Sequence, residues 1–129
     1  MRYLLKSGRG VPAEELEVAD GEKIIRRGRH QGRRVVAVYV LHAGGVIDRY
    51  EERARRKLGS NAIAARTWLC ETFKPGESET WGDERYIPNP EEAIDETEPK
   101  PEALLLVLLG AEHDDEANLE QLTALHASR

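Results

Sequence analysis

Nine consecutive residues carry the strongest chemical signal in this chain. Arg26-Arg27-Gly28-Arg29-His30-Gln31-Gly32-Arg33-Arg34 holds five arginines and one histidine. Each guanidinium is a planar fork of donors that matches phosphate oxygens, and backbone N–H groups near the glycines add more. A β-ribbon decorated in this way can lie in a DNA groove or track an RNA backbone. Arg26, Arg27, Arg29, Arg33 and Arg34 are therefore the first candidate nucleic-acid contacts. The competing reading is a solvated hairpin tip, or a tip docked on acids elsewhere in the chain.

A second basic line follows. Arg49, Arg53 and Arg56 recur at steps of four and three, which places them on one face of a helix. That face lies opposite a stripe of Ile47, Tyr50, Ala54 and Leu58. The competing reading is an ordinary solvated helix face. A helix-turn-helix around Leu58-Gly59-Ser60-Asn61 fits poorly, because the second helix would be the reader and is apolar almost all round. Base stacking also has little support. The chain has only seven aromatic residues, and none is interleaved with the arginines at 26–34.

The second candidate site is acidic. Residues 74–101 hold five of the six prolines and many carboxylates. A connection this long is usually functional or disordered. Trp81, Tyr86 and Ile87 form an apolar anchor within it, flanked by Asp83, Glu84, Glu91, Glu92, Asp95 and Glu96. Aromatic anchors inside a charged field make protein-contact surfaces. Trp81, Asp83, Glu84, Tyr86, Glu91, Glu92, Asp95 and Glu96 are therefore candidate contacts to a basic protein partner. The competing reading is a solvating loop that shields the chain's own arginines.

Catalysis finds little support. Asp20, Glu22 and Lys23 precede the arginine cluster, but neighbours in a strand face opposite sides, so they do not make a metal-nuclease set. His30, His42, His113 and His126 lack paired ligand spacing. Cys70 sits on the buried helix expected from Asn61 to Phe73, where an inert thiol is the default. No nucleophile elbow, P-loop or dinucleotide fingerprint occurs. The sequence thus assigns no catalytic residue, no metal ligand and no cofactor, and the chain is not expected to be an enzyme.

Elements must position these groups. Arg2 to Lys6 reads as a strand, Pro12 to Leu16 as a single helical turn, and Asp20-Gly21 as a turn. Lys23 to Leu41 reads as a central β-hairpin whose return strand, from Arg34, is apolar on both faces. Helices are expected from about Val46 to Leu58 and from Asn61 to Phe73. Ala103 to Leu109 reads as a buried strand closed by Gly110, and a last helix runs from Asp114 or Asp115 to Ala127. The expected class is α+β: a small mixed or antiparallel sheet with about three helices.

Charge divides along the chain. Residues 1–66 carry 15 Lys and Arg against 8 Asp and Glu; residues 67–129 carry 4 against 16. At 129 residues, one domain is expected, with 74–101 partly disordered. One cysteine excludes an internal disulfide framework. The longest apolar run, Ala103 to Leu109, is far short of the ~20 residues that span a bilayer. With no apolar leader after Met1, a cytoplasmic location is expected. Two functions follow. One is a nucleic-acid-associated regulatory protein contacting phosphates of DNA or RNA. The other is an interaction or inhibitor module, of an accessory or phage-encoded kind, that engages a basic partner. No membrane contact is expected.

Overall fold

Six apolar residues in a row cannot present a wet face, so the strand built from Leu104–Leu109 must be covered on both sides. The computed structural model describes residues 2–54, 66–87, 103–110 and 113–128, and it sets that strand inside one mixed sheet. In chain order the elements are β1 (Arg2–Lys6), β2 (Glu14–Leu16), α1 (Val18–Arg27), β3 (Arg29–His30), β4 (Arg33–Leu41), β5 (Ile47–Ala54), β6 (Arg66–Phe73), β7 (Gly82–Ile87), β8 (Leu104–Leu109) and α2 (Asp115–Ala127). The sheet order is β2-β1-β8-β4-β5-β6-β7, with β3 paired to the start of β4. β1 runs parallel to β8, and β4 lies antiparallel on the other side of β8.

Side chains alternate across the sheet and make two apolar layers. On one face Tyr3, Leu5, Val38, Val40, Leu105 and Val107 pack with Ile24 of α1. On the other Leu4, Tyr39, Leu41, Leu104, Leu106 and Leu108 pack with Leu122 of α2, which Leu119 and Leu125 flank. Each fully buried side chain of this size contributes about 1.5–3 kcal/mol. The helices therefore sit on opposite faces, and β8 is buried along its whole length.

Several expectations are corrected. The class is α+β only coarsely: among the described residues there are eight strands in one sheet and two helices, not a small sheet with three. The helix expected from Val46 is β5, and the one ending at Phe73 is β6. Trp68, Leu69 and Cys70 are apolar on both faces because both faces are covered, a pattern that a buried helix shares. The expected strand at Lys23–Arg27 belongs to α1, and the turn expected at Asp20-Gly21 lies inside that helix. Gly21 is there because α1 crosses β1 so closely that no Cβ fits. The single helical turn at Pro12 to Leu16 is instead β2, which pairs with β1. The long central hairpin shrinks to β3 and the first residues of β4. Among the described residues no helix is long and apolar enough to cross a membrane.

Candidate functional site

The arginine-rich segment forms one wall of a cleft. Lys23 and Arg27 are four apart on α1 and so share a helix face. Gly28 ends the helix in the left-handed region at φ 67°, with its N–H donating to the Ile24 and Ile25 carbonyls. That cap turns the chain back into β3. Gln31 and Gly32 then adopt φ 49° and 78°, the pair of positive values that a tight two-residue hairpin needs. Arg29 stands opposite Arg34 and His30 opposite Arg33. A cleft of about 300 Å³ results. Lys23, Arg27, Arg29 and His30 line it, Asp20 adds one carboxylate, and Leu16 and Ile24 contribute apolar surface.

The arginines of this segment are not equivalent. Arg34 pairs with Glu52 on β5, and Arg33 donates to the Ser7 carbonyl. Arg26 is also engaged. The side chains of Lys23, Arg27, Arg29 and His30 make no hydrogen bond or ion pair among the described residues. A strand over this segment would not bring Lys23 and Arg27 together; their i,i+4 relation exists only on a helix.

Arg49 lies elsewhere. It is on β5, 9% exposed, on the sheet face that α2 covers. Its Nη1 meets Asp115 Oδ1 at 2.8 Å, Nη2 meets Glu71 Oε1 at 2.9 Å, and Nε lies 3.7 Å from Glu51 Oε1. The Trp81 ring covers the guanidinium at 4.0 Å. Asp115 also accepts hydrogen bonds from the Tyr39 hydroxyl and from Trp81 Nε1, the latter at 3.1 Å. This network anchors the first turn of α2 to the sheet, while Asp114 caps the helix by accepting from the Ala117 N–H. Arg49 is thus saturated with carboxylates and has no fork left for phosphate. Arg53 lies further along β5, where its backbone pairs with Thr67. Arg56 lies outside the described residues.

The network leaves a mark on titration. Burial raises the Asp115 carboxyl, but hydrogen bonds from Tyr39 and Arg49, the Arg49 charge and Trp81 outweigh it and hold the pKa below the usual value. On the other face burial likewise raises Asp48, and hydrogen bonds from His42 and Thr72 with the charges of His42 and Arg85 bring it below normal. Burial and the bond to Asp115 push Tyr39 upward. A carboxyl depressed by folding contributes stability that is fully present above its unfolded pKa, near 4, and is lost as pH falls through the folded value. Unfolding free energy is therefore expected to be level from about pH 6 to about pH 5 for these two groups and to fall below about pH 4. Urea unfolding across that range checks this. Asp115→Asn should flatten the acid limb, and a parent protein equally stable at pH 3 and pH 6 would refute the assignment.

Asp48 belongs to a polar cluster assembled from four consecutive segments. His42 Nε2 lies 2.8 Å from Asp48 Oδ2, and Thr72 Oγ1 donates to Oδ1 at 2.6 Å. Arg85 reaches the same oxygen at 3.6 Å. Cys70 is buried beside Tyr50, and burial pushes its thiol up to about 11. Asn118 is fully buried and its Oδ1 accepts from Lys6 Nζ at 3.2 Å. Its Nδ2 has no partner in hydrogen-bond geometry. Among the described residues no three His, Cys, Asp or Glu side chains are grouped to hold a metal ion.

The acidic candidate surface divides. Trp81 packs inward on Phe73 and Tyr39 as well as Arg49. Tyr86 is 63% exposed on β7, at the sheet edge, with Asp83 and Glu84 exposed beside it. Ile87 packs on the α1 face of the sheet. Glu91, Glu92, Asp95 and Glu96 lie outside the described residues. No family model, no curated protein and no solved structure matches this chain.

Proposed function

We propose that the protein is a nucleic-acid-associated protein that holds phosphates in the cleft between α1 and the β3–β4 turn. One observation carries this reading. Lys23, Arg27, Arg29 and His30 converge on one cleft without a partner among the described residues, while Arg2, Arg9, Arg34, Arg49 and Arg85 each meet a carboxylate. Like charges held together repel, and an anion with several oxygens relieves that repulsion. Phosphodiester chains supply such oxygens and release counterions on binding.

Fluorescence anisotropy with generic single-stranded and duplex probes, from about 50 to about 300 mM salt, tests the reading. Log affinity should fall linearly with log salt. The triple variant Lys23→Gln/Arg27→Gln/Arg29→Gln should have a slope shallower by about 2 to 3, because each lost phosphate contact removes nearly one released ion. These side chains are exposed, so the fold should tolerate the exchange. A triple variant that binds like the parent ends the reading. A second reading, a contact surface for a basic protein on β7, draws on the exposed Tyr86 and its acidic neighbours. It gains if no nucleic acid binds even at low salt.

A further inference from the structure

The shape of the cleft says more than its charge. A β-ribbon that enters a groove must carry its free cations on a protruding tip. Here the tip strand β4 has Arg33 on the Ser7 carbonyl and Arg34 on Glu52. The unengaged cations instead line a concavity of about 300 Å³. A volume at the low end of small-ligand clefts admits a single small group and not a double helix.

The lining is also wrong for phosphate alone. Half-buried Leu16, with the small exposed edge of Ile24, offers apolar surface that a phosphate cannot use but the face of a base can. Asp20 sits among the cations. A carboxylate repels phosphate, so its place in the cleft fits a ligand that also donates hydrogen bonds. The exocyclic amino group of a base is such a donor.

We propose that the cleft receives one unpaired nucleotide. Its base lies against Leu16 and Ile24, its amino group donates to Asp20, and its flanking phosphates meet Lys23, Arg27 and Arg29. The protein then prefers single-stranded nucleic acid carrying amino-bearing bases. This rests on the phosphate reading above and narrows it.

The preference runs against simple electrostatics. A duplex has the higher charge density and releases more ions per contact, so a merely basic surface favours it. The test is therefore a comparison at one salt concentration of three labelled probes: oligo-dC, oligo-dT and a blunt duplex of equal length. Oligo-dC should bind about tenfold more tightly than the duplex and more tightly than oligo-dT. Leu16→Ser should weaken oligo-dC by about tenfold while changing the duplex less than about twofold, since base contacts alone are lost. Asp20→Ala, which leaves no acceptor for the amino group, should erase the difference between oligo-dC and oligo-dT. This last exchange is on an exposed residue, so it stands even if Leu16→Ser fails to fold.

A duplex that binds as tightly as oligo-dC overturns the proposal, as does an Asp20→Ala protein that keeps the base preference. If the three probes bind equally tightly, with a salt slope that the triple variant loses, the phosphate reading survives and the nucleotide pocket falls. If no probe binds at low salt, both fall.

Discussion

Replacing Arg49 with methionine should lower the unfolding free energy by about 3 kcal/mol, and the melting temperature by roughly 10 °C. Methionine keeps the unbranched stem, so the change isolates the guanidinium. The loss is large because Arg49 is 9% exposed and serves several carboxylates at once. Removing one partner of a buried pair costs about 3–5 kcal/mol, since the remaining charge stays desolvated and uncompensated. The lower end applies because the Asp115 side chain is 34% exposed and water can reach it. Asp115 would still keep its donors Tyr39 and Trp81. Glu71 would lose its only partner among the described residues. Adding Glu71→Leu to the variant should therefore recover part of the loss. Urea unfolding followed by tryptophan fluorescence reads both, because Trp81 stacks directly on the guanidinium. A loss under about 1 kcal/mol, the value of an exposed pair, would show that water screens the network after all.

Gly21→Ala should destabilise the protein, against the usual rule for helices. In a helix interior alanine is better than glycine by about 1 kcal/mol. At Gly21 a Cβ would stand 2.2 Å from Tyr3 Cγ and 2.5 Å from Cδ1. Tyr3 is 2% exposed and packed in the core layer beneath α1, so the ring has nowhere to go. Overpacking of this kind costs about 1–3 kcal/mol, which outweighs the gain in propensity. α1 must then ride outward from β1 and carry Lys23 and Arg27 away from Arg29. Nucleic-acid binding should weaken along with stability, which an anisotropy titration beside the urea curve would show. A Gly21→Ala protein more stable than its parent would mean that the helix and strand are not in the contact described.

How much of this was legible beforehand depends on which distances along the chain each feature uses. β8, the outer part of β4 and α2 could be read directly. A short run that is apolar at every position has to be buried on both faces, and Leu119, Leu122 and Leu125 recur at helical spacing. The concentration of positive charge in residues 1–66 was equally plain. β5 does not show in the sequence as a strand because Ile47, Tyr50 and Ala54 also fit a helical stripe. Its true alternation sets Ile47, Arg49 and Glu51 against Asp48, Tyr50 and Glu52, and charges on both faces hide it. Arg49 can occupy a covered position only because Glu71 and Asp115 arrive from β6 and α2. Likewise Gly21 looked like a turn until Tyr3 was placed against it. The same reason governs the arginines of residues 26–34. Their number and their affinity for phosphate follow from composition. Which of them remain available follows from Glu52 and Ser7, brought over by strands distant in sequence. Periodicity and propensity act within a few residues, whereas the partner that neutralises a charge is chosen by the packing of the whole sheet.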